Sequence, residues 1–167
     1  MRMLEVSQWL PVTTDELWPF FTDIANLERI TPEWVNFKIL TPPGTPVHEG
    51  VILDYRIRIR GVGVHWRTRI SVFEPPHRFV DEQIKGPYSL WRHEHRFHEE
   101  RGGTRCLDRV DYRSPLGVIL HPMFVDRDVR RIFEFRAQAL RKLFGGIDAD
   151  HPVISITRPT GTPVSIA

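Results

Sequence analysis

From Val51 to Tyr112 the chain keeps a period of two. Val51, Leu53, Tyr55, Ile57 and Ile59 alternate with Asp54, Arg56, Arg58 and Arg60. After Gly61-Val62-Gly63, Val64, Trp66, Thr68, Ile70 and Val72 continue one face against His65, Arg67 and Arg69. Side chains alternate between the two faces of a strand, so this pattern is that of strands with one face buried. Glu74-Pro75-Pro76-His77, Gly86-Pro87 and Glu99–Gly103 divide the rest of this stretch into runs at Arg78–Lys85, Leu90–Phe97 and Thr104–Tyr112. Antiparallel strands with one apolar face must bury it against another layer.

The cover comes from the C-terminal third. Pro122 suits the first position of a helix. Met123–Phe144 then carries an apolar stripe of Val125, Val129, Ile132, Phe133, Leu140, Leu143 and Phe144, with Arg127, Arg130, Arg131, Arg141 and Lys142 around it. At about 1.5 Å per residue such a helix is roughly 33 Å long, enough to cross a sheet. Gly145-Gly146 is a stop signal. Upstream, Met3–Leu10 alternates as a first strand that Pro11 ends. Thr13 and Glu16 form a capping box ahead of Leu17, Phe20, Phe21 and Ile24; Pro19 keeps that helix short. Asp23–Ile30 reads as a second short helix, Trp34–Leu40 as a strand and Thr41–Pro46 as a loop. The expected architecture is α+β: a curved antiparallel seven-stranded sheet wrapped around the long helix, with two short helices between strands 1 and 2. A sheet curved in this way leaves a cavity beneath it. The division is a single domain over 1–146 and a tail over 147–167, rich in Pro, Thr and Gly and expected to be flexible or to lie on a neighbour.

Composition narrows the function classes. A formal net charge of +2 over 167 residues is too small for a polyanion partner, so no nucleic acid is expected. No apolar run approaches the ~18 residues of an integral membrane segment. The start of the chain enters a strand pattern without an apolar leader, and Cys106 has no second cysteine to pair with; both point to the cytoplasm. No phosphate-binding loop or Gly-x-Ser-x-Gly elbow occurs, and no cofactor is expected.

One strand strains this packing logic. Trp91, His93, His95 and Phe97 share a face; Leu90, Arg92, Glu94 and Arg96 share the other. The charged face belongs in water, which turns two imidazoles inward between two aromatics. A buried polar group needs a partner. Same-face imidazoles about 6.5–7 Å apart can share a metal. That requires a third ligand, and Asp81, Glu82, Asp108 and Asp111 stand on neighbouring strands in no recognised spacing, so no metal is expected. The other readings are structural histidines held by an Asp or Tyr, ligand contacts, or acid–base groups. The facing of 78–85 stays open, because Phe79/Asp81/Gln83 and Val80/Glu82/Ile84 are both mixed sets. Arg109 is open too: inward it would bind a carboxylate, outward it is a surface charge.

The motifs Phe21-Thr-Asp-Ile-Ala-Asn-Leu27, Ile30-Thr-Pro32, Glu74-Pro-Pro-His-Arg-Phe79, Asp81, Gly86-Pro-Tyr88, Trp91-x-His93-x-His95-x-Phe97, Gly103-Thr104, Asp108-Arg109, Tyr112 and Pro115-Leu-Gly117 fall in an order that resembles a bacterial branch of the START, Bet v 1-like and polyketide-cyclase superfamily, often called SRPBCC. The resemblance covers about residues 1–145 and implies a helix-grip fold. It also implies binding of a small hydrophobic or amphiphilic ligand, lipid-, polyketide- or isoprenoid-like, between sheet and helix. Tyr55, Ile57, Trp66, Trp91, His93, His95, Ile132 and Phe133 are then the expected pocket residues. One alternative is a cyclase- or dehydratase-type enzyme with His93 or His95 as acid–base group. Another is a protein-interaction module without ligand, whose sheet or tail contacts a partner protein. Monomer and homodimer are equally open.

Overall fold

The alternation does its work in a single antiparallel sheet. The computed structural model describes residues 1–59, 61–114, 122–146 and 151–158. Its elements are β1 (Arg2–Leu10), α1 (Thr14–Thr22), β2 (Lys38–Ile39), β3 (Ile52–Ile59), β4 (Val62–Glu74), β5 (Arg78–Lys85), β6 (Leu90–Glu100), β7 (Gly103–Arg113), α2 (Pro122–Phe144) and β8 (Val153–Thr157). The strands lie in the order β2-β3-β4-β5-β6-β7-β1-β8, and the sheet curves around α2. Two register shifts between β4 and β5, at Arg67/Thr68 and at Ile70/Val72, help it bend. The hairpin between β6 and β7 turns on Arg101 and Gly102, both at positive φ (53° and 72°), the conformation that matches the twist of the flanking strands.

The capping box forms as expected. Thr13 Oγ1 accepts from the Glu16 N–H, and the Glu16 carboxylate accepts from the Thr13 N–H at 2.9 Å. The second short helix, Ile24–Ile30, is of the tighter 3-10 kind, started by Asp23, whose carboxylate accepts from Ala25 N at 3.0 Å. At its far end α2 stops where Gly145, at φ 86°, donates its N–H to the Arg141 carbonyl.

Three expectations change. Trp34–Leu40 is not one strand. Glu33–Val35 forms a 3-10 turn, Asn36 takes a left-handed φ of 47° with its N–H on the Glu33 carbonyl, and only Lys38–Ile39 pairs with β3. A local turn closed by hydrogen bonds three residues apart overrides a short alternation. Among the described residues the sheet has eight strands rather than seven. The extra one, β8, falls within the segment expected to be a flexible tail: Val153–Thr157 pairs with Ser7–Met3 of β1, and Ile154 and Ile156 pack against the core. A run of five is too short for periodicity to separate from its Pro- and Thr-rich surroundings. The connector 115–121, Arg60, and tail residues 147–150 and 159–167 lie outside the described residues.

The facing of β5 is settled by its neighbours. Phe79 stacks on His95 at 4.1 Å between ring centroids, so Phe79 and Asp81 face inward. Glu82 faces outward to Arg69 and Arg92. The Gln83 amide folds back over Gly86 to donate to the Tyr88 carbonyl at 2.6 Å. Arg109 faces outward beside Asp111. On the same outer face Glu94 is 5% exposed, contrary to the solvated face expected, and it is held by Arg78, Arg92 and Arg96.

Two apolar clusters fill the interior. One gathers Leu10, Leu17, Ile24, Leu53, Ile70, Phe79, Phe97 and Leu140; the other gathers Leu4, Val6, Val110, Tyr112, Val125, Val129 and Phe133. Among the described residues no helix is long and apolar enough to cross a membrane.

Candidate functional site

β6 carries its two histidines into the middle of the sheet. Antiparallel pairing sets Asp81 of β5 opposite His93, and Asp108 of β7 opposite His95. Residues directly opposite share a face, so two carboxylates flank two imidazoles. The rings of His93 and His95 lie 3.7 Å apart, centroid to centroid. His93 packs edge-on against Phe133 of one apolar cluster, and His95 stacks on Phe79 of the other. The polar group thus sits on the seam between the two cores.

The imidazoles are 5% and 3% exposed. His93 Nε2 hydrogen-bonds Asp108 Oδ1 at 2.9 Å, and His95 Nε2 hydrogen-bonds Asp81 Oδ2 at 3.2 Å. The remaining nitrogens approach carboxylates as well: His93 Nδ1 is 3.4 Å from Asp81 Oδ2 and His95 Nδ1 is 2.8 Å from Asp108 Oδ1. Arg136 of α2 supplies a cation here. Its charge acts on both aspartates, its guanidinium lies 5.5 Å from the Phe21 ring centroid, and its Nε is buried without a hydrogen bond.

Burial and charge compete throughout. For Asp108, burial would raise the pKa, but Arg136 and the two imidazoles outweigh it and hold the carboxyl well below its usual range. Asp81 is also lowered: burial opposes, and the His95 hydrogen bond with the His93, His95 and Arg136 charges prevails. Burial, aided by the neighbouring His95, depresses His93 to about 4, against the pull of Asp108.

Above this group opens a cavity of about 650 Å³. Its aromatic wall comes from the sheet: Trp66 meets Trp91 edge-on at 5.1 Å, and Tyr88 lies 4.8 Å from Trp91. Tyr55 and Ile57 extend that wall, Ile132 and Phe133 close it from α2, and Phe20, Phe21 and Leu27 close it from the N-terminal helices. Burial raises the hydroxyl pKa of Tyr55 and Tyr88, with nearby Asp charges adding to it, so both are protonated donors at neutral pH. Tyr55, Ile57, Trp66, Trp91, His93, His95, Ile132 and Phe133 all stand on the wall of this cavity. Cys106 is buried and its thiol is pushed up by that burial and by Asp108, leaving it unreactive.

The sequence model for polyketide cyclase / dehydrase and lipid transport proteins matches residues 10–141. The chain belongs to this family. Several solved structures share the fold of this polyketide cyclase / dehydrase family member at low identity. The Zhui aromatase/cyclase from Streptomyces sp. R1128 aligns with a TM-score of 0.67 at 15% identity, covering 86% of this chain and 96% of that one. Protein CV1439 from Chromobacterium violaceum gives 0.68 at 11% identity over 87% and 98%. A START superfamily protein from Mycobacterium smegmatis gives 0.63 at 15% identity over 86% and 97%. At such identities the likeness is one of fold. No curated protein sequence matches the chain.

Four site residues are legible in the sequence only in part or not at all. Asp81 and Asp108 stand in the family-like motifs and among the possible partners of the histidines, in no spacing that assigns them to the site. Tyr88 appears only within a motif. Arg136 gives no motif, although it sits seven residues after Val129 and four before Leu140, within the apolar stripe of α2. A cation on the buried face of an amphipathic helix is the available signal.

Proposed function

We propose that this family member binds a small amphiphilic ligand, with an apolar, ring-rich or isoprenoid-like body against the aromatic wall and a polar head at the charged end. The observation that carries this reading is the joining of the two surfaces in one cavity. Trp66, Tyr88 and Trp91 offer π faces with hydroxyl or indole handles. Arg136 offers donors at the other side, to a carbonyl, phenolate or carboxylate oxygen. The volume falls in the usual range of small-molecule pockets, roughly 300–1,000 Å³.

Native mass spectrometry of the purified chain, with titration of a fluorescent amphiphile against Trp66 and Trp91 emission, tests the reading. Saturable quenching is expected, and Ile132→Trp, which puts a larger ring into the cavity, is expected to abolish it while the far-ultraviolet circular dichroism stays unchanged. Unaltered binding by Ile132→Trp, or no binding across a panel of amphiphiles, overturns it.

An enzyme of cyclase or dehydratase type has one observation in its favour: both Asp-bound imidazoles stand on the cavity wall. Its measure is the mass of a bound compound before and after incubation, in the native chain and in His93→Ala.

A further inference from the structure

The two imidazoles make more close approaches to carboxylates than hydrogen bonds. Four N···O approaches of 2.8 to 3.4 Å link them to the two aspartates. Two of these are hydrogen bonds, His93 Nε2 with Asp108 and His95 Nε2 with Asp81. His95 Nδ1 is left buried without a hydrogen bond, 2.8 Å from Asp108 Oδ1.

The positions of the ligand atoms show what this arrangement suits. Asp81, His93 and His95 each present a ligand atom, all within 4.8 Å of one another. His93 Nδ1 and His95 Nε2 stand 3.4 and 3.2 Å from the same oxygen, Asp81 Oδ2. Metal–ligand bonds of ~2.0–2.1 Å at a tetrahedral angle put donor atoms ~3.3–3.4 Å apart. The opposite ring nitrogens, His93 Nε2 and His95 Nδ1, both lie within 2.9 Å of Asp108 Oδ1. A carboxylate behind each ligating imidazole fixes the tautomer that turns the other nitrogen's lone pair toward a metal. Asp81, His93 and His95 border the cavity whereas Asp108 does not, so the fourth position of the set opens onto the cavity.

We propose that Asp81, His93 and His95 form a binding site for one divalent transition-metal ion of zinc type, oriented from behind by Asp108 and open to the cavity on its fourth side. Two imidazoles and one carboxylate are a donor set that suits such ions and disfavours magnesium and calcium. Metal binding of this kind does not depend on the amphiphile.

The test uses the full-length chain, stripped with a chelator and titrated with zinc in competition with a chromophoric chelator. One zinc per chain is expected. His93→Ala and Asp81→Asn are expected to abolish stoichiometric uptake, and Asp108→Asn to weaken it about 10–100-fold. Asp54→Asn, which removes the carboxylate beside His65 on the outer face, is expected to leave uptake unchanged. A second measurement serves should the variants fail to fold: zinc added to the native chain should move the ring-nitrogen NMR signals of His93 and His95 and spare those of His65, His77 and His98. No stoichiometric uptake, uptake indifferent to Asp81→Asn and His93→Ala in folded protein, or shifts confined to the other histidines overturns the proposal.

Discussion

Asp108 anchors the histidine pair from β7, 8% exposed and close to both rings. Truncating one partner of a buried charged group strands the others, at a cost of about 3–5 kcal/mol. Asp108→Ala should therefore lower the free energy of urea unfolding by that order, while the outward Arg109→Ala should change it by less than about 0.5 kcal/mol. The contrast between these two adjacent residues also marks what the sequence can tell. His93 and His95 are legible because the opposite face of β6 is so heavily charged that the imidazole face has to turn inward. The facing of Asp81 is not, because both faces of β5 are mixed; only the Phe79–His95 stack and the pairing with β6 decide it. Arg136 is hidden by its company, since a stripe defined by apolar residues is read past the one cation within it.

β6 is also polar on the side where solvent is expected. Glu94 accepts from Arg78 at 2.6 Å and from Arg96 at 2.9 Å. Burial raises its pKa, but these guanidinium hydrogen bonds prevail and bring it from 4.5 down to about 2. A carboxyl depressed on folding contributes stability above its unfolded pKa and loses it as pH falls through the folded one. Glu94→Gln should therefore be destabilised at pH 7, by about 1.5–3 kcal/mol for the lost charged hydrogen bonds. It should also show a flatter decline than the native chain between pH 4.5 and 2, read from chemical denaturation at each pH. Long elements are the legible ones. β3, β4 and α2 each carry several periods of their pattern, whereas β2 and β8 are two and five residues long. For such short pieces the partner strand, not the local sequence, decides the conformation.

The whole molecule keeps open a space that most domains of its size fill. Tertiary packing around about 650 Å³ forgoes contacts that a ligand can restore. A ligand that binds only the folded chain stabilises it by about 2.7 kcal/mol at a hundredfold excess over Kd. For a domain this long, that corresponds to a rise in Tm of roughly 5–10 °C, measurable by scanning calorimetry, and Ile132→Trp should remove the ligand-dependent part. A curved sheet over one long helix is legible from two periodicities alone. The depth and lining of the cavity are not, since the same apolar face serves a solid core or a pocket wall.

The seam occupied by His93, His95, Asp81 and Asp108 has a consequence for cooperativity. It divides the interior into two apolar clusters that share a sheet but meet across charged groups. Contiguous packed regions open as units. Native-state hydrogen exchange should then resolve two protection levels, one for amides of β1 and β7 with the first turns of α2, another for β3, β4 and β5. A charge introduced or removed at the seam should change the gap between them before it changes either alone.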